Sequence, residues 1–321
     1  MNATPRLSIG LAVYNGENFL AQSIESLLGQ TFQDFELIIS DNASADRTAD
    51  ICAGYARQDS RIRYFCQPQN IGSAPNHNFT IHQARGELFK TASHDDLYGR
   101  DLLRFCVEAL DKDPAVVLAH SWSAVIDKSN AITEVVDYPV NTGDPRAPER
   151  LRSMLFDGWG DDEGGVVRTD VLRRTALHGS HHFADRTFTV ELALNGPFYM
   201  VPEYLYFRRQ HEGQGGAAAN VRTRCANLDP RRASRLRHPT ARLYGEYIGS
   251  YVSAIARAPL SAADKRKCYR VLGRWVASRA LPVAERSLTR SRLRNNGEAS
   301  SPAPSGLSVE AVVAHAERGS A

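Results

Sequence analysis

Four short apolar runs fall within the first 92 residues, each followed by one helix-sized segment, and this alternation restricts the fold more than any other feature. LSIGLAV (7–13) ends at YNGEN, after which Phe19, Leu20, Ile24, Leu27 and Leu28 recur at helical spacing. FELIIS (35–40) leads into a helix from about Asp46, IRYFC (62–66) into one through about residue 84, and ELFKTA (87–92) into one over about 100–111. Strands that are apolar on both faces must be covered on both. The chain is therefore expected to be α/β, with a Rossmann-like, mainly parallel sheet and helices on either side. Such sheets bind ligands at the carboxyl ends of their strands.

Beyond residue 112, AVVLAHSWSAVI (115–126) and the stretch to Tyr138 read as further strands, with a helix near Pro148 and a Gly- and Asp-rich loop at 157–165. PFYMVPEYLYFR (197–208) reads as strands that close the domain, and the small residues of 213–219 mark its end. From 236 the pattern turns helical, with Ser261 placed to cap a second helix. The expected organisation is a domain over 1–215, a helical appendage over 216–294 and a disordered tail over 295–321, whose start is rich in Pro and Ser. Lys and Arg total 39 against 36 Asp and Glu, and the net charge of +3 gives no reason to expect nucleic acid as a partner. Five cysteines without a close pair read as buried thiols. There is neither a signal-like N-terminus nor an apolar run of membrane-spanning length, so the expected location is cytoplasmic.

The strand ends carry the chemistry. The first delivers Tyr14 and Asn15, the second Asp41 and Asn42, and the fourth, in KTASHDDLYGR, delivers Ser93, His94, Asp95 and Asp96. Adjacent carboxylates at a strand end repel unless a cation lies between them. No glycine-rich phosphate loop is present, so a dinucleotide fingerprint is excluded. An aromatic ring, a strand-end Asp and a carboxylate pair suit a nucleoside diphosphate: the ring stacks on the base, Asp41 accepts from base or ribose, and Mg2+ or Mn2+ bridges Asp95 to phosphate oxygens.

LSIGLAVYNGENFLAQSIESLLGQTFQDFELIISDNASADRT resembles the opening of the family 2 glycosyltransferases, and the likeness continues through NIGSAPNHN (70–78), ARGELFKTASHDDLY (84–98), ADRTFTVELALNG (184–196) and VPEYLYFRRQHEGQ (201–214). The resemblance implies a GT-A fold and inverting transfer of a sugar from a nucleoside diphosphate, of uridine or thymidine type by default, to a hydroxyl of a glycan, lipid-linked or small-molecule acceptor. It implies a nucleotide site of Tyr14, Asn15, Asp41, Asn42, Ser93 and His94, and a Mg2+ or Mn2+ site at Asp95 and His211. Asp185 is implied as the general base, and Asp96, Arg168 and Arg209 as donor or acceptor contacts. The chain departs from the family pattern twice: Ser93 replaces the first Asp of the Asp-x-Asp metal motif, and Ala184 replaces the Glu that commonly precedes the base.

Other readings compete. Asp46 is expected to cap a helix rather than bind a ligand. His178, His181 and His182 with the His94–Asp95 pair are the elements of a metal-dependent phosphohydrolase, and a sugar-nucleotide-binding protein without catalysis would need no Asp185. The Arg-rich segment 278–294 is either a solvated helix face or a peripheral foothold at the inner face of a membrane.

Overall fold

The structure is a computed structural model, and it describes residues 4–158, 164–211, 220–234, 236–280, 300–301 and 307–313. Within the first 112 residues it consists of β1 (Leu7–Val13), α1 (Leu20–Leu28), β2 (Phe35–Asp41), α2 (Thr48–Gln58), β3 (Ile62–Cys66), α3 (Ser73–Gln83), β4 (Leu88–Ala92), β5 (Leu97–Tyr98) and α4 (Leu102–Lys112). There follow β6 (Leu118–Ile126), β7 (Ile132–Val136), α5 (Ala147–Phe156), β8 (Val166–Arg168), α6 (Thr169–Arg173), α7 (Ala184–Asn195) and β9 (Phe198–Arg209). Next among the described residues come the α-helices α8 (Val221–Leu228), α9 (Thr240–Arg257) and α10 (Ala262–Ala280), with a 3-10 turn at Pro230–Ala233, and then the short strand Ser300–Ser301 and the helix Val309–Val313.

The strands form one ten-stranded sheet in which β3, β2, β1 and β4 lie side by side and parallel. β8 then runs antiparallel to both β4 and β6, while β9 is parallel to β6. Successive strand residues point to opposite faces. Leu37 and Ile39 thus join a core with α1 and α4, whereas Ile38 joins the opposite core with α3, α5 and α7. Both faces are covered, as uniformly apolar strands require.

The helices α9 and α10 pack into that second core: Tyr247, Tyr251 and Trp275 share a buried cluster with Leu151 and Phe188. Ser261 caps α10 by accepting from the Asp264 backbone N–H at 3.1 Å and donating to its carboxylate at 2.8 Å. Part of the tail expected to be disordered is ordered. Ser300–Ser301 pairs antiparallel with β7, and Val309 is buried in a cluster with Leu97, Ala124 and Phe207. Apolar Leu307, Val309, Val312 and Val313 follow the polar Pro/Ser stretch, and they cover an otherwise exposed sheet face. The segment 281–299 and the remaining tail residues lie outside the described residues, as do 159–163 of the Gly/Asp-rich loop and 212–219.

Candidate functional site

Strand register decides what meets at the rim. Val13 is paired with Asp41, Asp41 with Cys66, and Leu11 with Ala92, so β1, β2, β3 and β4 all end at one edge. Tyr14, Asn15, Asp41, Asn42, Ser93, His94 and Asp95 emerge there together. Tyr14 leaves β1 with an exposed ring, free to stack. Asn15 then adopts φ 50°, a left-handed conformation that Asn tolerates better than most residues, and this turns the chain into α1.

The turn is held from across the rim. The Asn15 backbone N–H donates to Ser44 Oγ at 2.9 Å, its Oδ1 accepts from the Ala45 N–H at 2.9 Å, and the Gly16 N–H donates to Thr48 Oγ1 at 2.9 Å. Gly16 has no room for a side chain, because a Cβ there would lie 2.7 Å from the His94 ring. Asp46 accepts from the Thr48 N–H at 3.0 Å at the start of α2, in the capping role expected, and from the Glu17 N–H at 3.1 Å.

Asp41 is buried. It accepts from the Ser44 N–H at 2.9 Å and the Tyr64 hydroxyl at 3.1 Å, which leaves carboxylate lone pairs for a ligand. Burial and the neighbouring Asp41 charge push the Tyr64 phenol well above its usual pKa, so it remains a neutral donor. Asn42 is fixed by its amide bond to Asn70 Oδ1 at 3.0 Å and by the Ile71 N–H on its own Oδ1 at 2.8 Å.

The two adjacent carboxylates are separated by function. Asp95 keeps one oxygen with Ser93 Oγ at 2.5 Å and the other with His211 Nε2 at 3.1 Å. Burial opposes its ionisation, but His94 and the Ser93 and His211 hydrogen bonds outweigh burial and hold its pKa below the usual carboxylate value. Burial lowers the His94 pKa, which favours the neutral imidazole. Asp96 instead turns into the fold, accepting from the Tyr206 hydroxyl at 2.6 Å and the Arg209 N–H at 2.9 Å. That geometry makes Asp96 a link between the end of β4 and β9.

Arg209 is fully buried and supports the rim from beneath. Its guanidinium donates to the Asp95 carbonyl at 2.7 Å, the Asp127 carbonyl at 2.9 Å and Gln22 Oε1 at 3.2 Å, and it lies 4.4 Å from the centre of the Phe19 ring. Phe19 also touches the His211 ring, with centroids 5.0 Å apart. Arg168 is not brought to this edge. It pairs with Leu88 at the opposite end of β4, and its guanidinium donates to the carbonyls of Leu110, Asp113 and Val116. This corrects the expectation of a donor or acceptor contact: β8 is antiparallel, so its last residue falls at the wrong end of the sheet.

Helix direction aims Asp185 toward the rim. α7 ends at Asn195, where Gly196 adjoins Ala115 and Val117 at the N-terminal end of β6, so the exposed Asp185 in its first turn lies toward the carboxyl ends of the strands. The preceding residue, Phe183, is held at φ 53°, an unusual conformation for a bulky residue and one that aims the helix start. The loop before it is tied to α3 by a reciprocal pair in which the Asn78 amide donates to the His178 carbonyl and the His178 N–H to Asn78 Oδ1, both at 2.9 Å. His181 is occupied with Ser250 Oγ at 2.8 Å and Thr187 Oγ1 at 3.3 Å, and His182 lies against Phe183 and Tyr244. These two histidines are not gathered with His94 and Asp95, and no group of three or more metal-binding side chains occurs among the described residues.

The sequence reading missed the partners that hold these residues: Ser44, Tyr64, Asn70 and Tyr206. Ser44, Asn70 and Tyr206 lie within the stretches that carry the family resemblance, in SDNASADRT, NIGSAPNHN and VPEYLYFRRQHEGQ, but nothing local says which rim residue each one holds.

The profile of "Glycosyl transferase family 2" matches residues 8–174, more than half of the chain, and the chain belongs to that family. Among curated relatives it is similar to glycosyltransferase GlyG of Streptococcus pneumoniae, with 24% identity over 63% of this chain and 67% of that one. It is also similar to the putative glycosyltransferase EpsH of Bacillus subtilis, with 39% identity over 48% of this chain and 44% of the relative. The match thus spans less than half the length of EpsH.

Among solved structures, S. aureus TarS 1-349 in complex with UDP superposes with a TM-score of 0.60 at 16% identity, covering 88% of this chain and 77% of that one. The mannosyltransferase PcManGT from Pyrobaculum calidifontis, in complex with GDP-Man and Mn2+, gives a TM-score of 0.50 at 17% identity over 92% of this chain and 81% of that one. The fold is that of the GT-A glycosyltransferases. Asp185, Arg209 and His211 lie beyond the family-matched span.

Proposed function

We propose that the protein is an inverting glycosyltransferase that moves a sugar from a nucleoside diphosphate to an acceptor hydroxyl. The observation that carries this reading is the convergence on one rim of an exposed ring (Tyr14), a buried strand-end acceptor (Asp41) and the Asp95–His211 pair, with the first turn of α7 carrying Asp185 toward the same edge. Tyr14 stacks on the base, Asp41 accepts from base or ribose, and Asn15, Asn42, Ser93 and His94 shape the floor beneath the ribose and diphosphate. A uridine or thymidine nucleotide is the donor class that the family resemblance favours.

One ionised carboxylate beside one imidazole fits a divalent ion that takes its remaining ligands from phosphate oxygens and water, as Mg2+ or Mn2+ does. Asp95 and His211 would hold it, and when bound it supplies positive charge to the departing diphosphate. Ser93 places a hydroxyl donor where the family motif has a second carboxylate, so the protein brings less negative charge to the ion. Asp185, exposed at a helix start, takes the proton from the acceptor hydroxyl as that oxygen attacks the anomeric carbon from the face opposite the diphosphate. Asp96 and Arg209 act by positioning Asp95 rather than by touching donor or acceptor.

The test is transfer by Asp185→Asn. Loss of a general base lowers the rate about 10²–10⁴-fold while donor binding is retained. Transfer at the parent rate refutes the base assignment, and retention of the donor's anomeric configuration in the product refutes the inverting mechanism.

A further inference from the structure

Charge is divided very unevenly along this chain. Residues 1–219 carry 20 Lys and Arg against 29 Asp and Glu, a net of −9, whereas residues 220–280 carry 14 against 3, a net of +11. The basic region is the one built from α8, α9 and α10. α9 buries Leu243, Tyr247, Tyr251, Ala254 and Ile255 against the domain, and the one charged residue between Arg242 and Arg257, Glu246, is paired with Arg232 and Arg242. The outer face of α9 presents Tyr244, Ile248 and Val252, one turn apart and each more than a third exposed, beside Gly245 and Gly249. Tyr269 of α10 extends the stripe through its hydroxyl on the Val252 carbonyl at 3.4 Å, and Leu236 in the turn before α9 is 96% exposed between arginines. Arg266, Arg270 and Arg274 of α10 are also exposed and make no ion pair among the described residues.

We propose that this face, formed by the outer sides of α9 and α10 and the turn before α9, docks on an anionic lipid bilayer. An apolar stripe bordered by unpaired arginines matches a surface that offers an apolar layer beneath negative headgroups. A second copy of the chain is disfavoured as the occupant, because it would set one +11 region against another. The chain's own continuation is disfavoured on the same ground, since residues 281–294 add four arginines and one glutamate. The inner side of α9 packs on Phe183, two residues from Asp185. A bilayer on the outer side therefore lies about one helix diameter, roughly 10 Å, from the helix that carries Asp185. If the glycosyltransferase reading holds, the acceptor class this geometry favours is a hydroxyl on a lipid-borne group.

Sedimentation of the full chain with vesicles tests the proposal without donor or acceptor, so its result is independent of any activity. Mixed phosphatidylglycerol and phosphatidylcholine vesicles are expected to carry the protein down, and phosphatidylcholine alone to carry down far less. Arg266→Glu, Arg270→Glu and Arg274→Glu together should weaken binding about tenfold or more, and Ile248→Ser with Val252→Ser should weaken it as well. All five positions are exposed, and an unchanged urea midpoint confirms folding. Equal sedimentation with both vesicle types, or parent-like binding by the arginine variant, overturns the proposal. So does loss of binding only when Arg286, Arg290, Arg292 and Arg294 are reversed, because the segment 278–294 would then be the contact, and so does a stable dimer that Ile248→Ser dissolves.

Discussion

Replacing Arg209 separates a residue that builds the site from one that touches the donor. Its guanidinium holds two backbone carbonyls, of Asp95 at 2.7 Å and Asp127 at 2.9 Å, in a position with no solvent exposure. Arg209→Met leaves both acceptors without this donor, at about 1.5–3 kcal/mol each, and removes a cation–π contact with Phe19 of about 1–2 kcal/mol. The sum, about 5 kcal/mol, is a large part of the stability of an ordinary domain. Arg209→Lys is therefore the working variant. Its single ammonium cannot span the fork, and the expected loss is about 3 kcal/mol.

Equilibrium urea unfolding reads the stability, and calorimetric titration with UDP and Mn2+ reads the site. Weaker nucleotide binding should accompany the stability loss, because the Asp95 main chain has lost its anchor. A lysine variant that unfolds with the parent's midpoint refutes the clamp. One that keeps parent stability yet loses nucleotide binding makes Arg209 a direct contact instead.

Two further outcomes follow from the interior. Lys90 is fully buried on β4, where it donates to the Gly164 carbonyl and faces the Tyr98 ring at 4.6 Å, and burial lowers its pKa to about 8. Because its folded pKa lies below the unfolded value, its contribution to stability is full above about pH 10.5 and is lost as pH falls through about 8. The difference, about 3 kcal/mol, should appear as a pH-dependent gap between the parent and Lys90→Met in urea unfolding, and a gap that does not change across that window contradicts it. Gly72 opens α3 at φ +92°, and a Cβ there would lie 2.5 Å from the Leu228 carbonyl oxygen. Gly72→Ala should cost about 1–3 kcal/mol by the same assay, and an unchanged midpoint would show that α8 yields freely.

The first four strands were legible because they are apolar on both faces: the runs 7–13, 35–40, 62–66 and 87–92 lie within about one residue of β1 to β4. β8 was not, because three residues, Val166–Arg168, carry no period, and its place between β4 and β6 is set by tertiary pairing. Arg168 was misplaced for that reason. PFYMVPEYLYFR reads as more than one strand because Pro202 cannot donate to a ladder. β9 nonetheless runs through it, with the register slipping from Ser121–Val201 to Trp122–Tyr204.

At the site, the composition of the rim was legible because parallel strands deliver their C-terminal residues to one edge. The division of labour was not. Asp95 and Asp96 are alike in sequence, and it is contact with Tyr206 and Arg209, more than a hundred residues away, that holds Asp96 inward. Likewise an arginine's sequence position does not say whether its long side chain turns to a ligand or to a carbonyl.

The central claim is a nucleoside diphosphate held at this rim with a cation at Asp95 and His211. Calorimetric titration of UDP into the parent and Asp95→Ala, with and without Mn2+, tests it most directly. The account predicts that the parent binds more tightly with Mn2+ and that Asp95→Ala abolishes that gain. Binding that ignores both the ion and the substitution would contradict it.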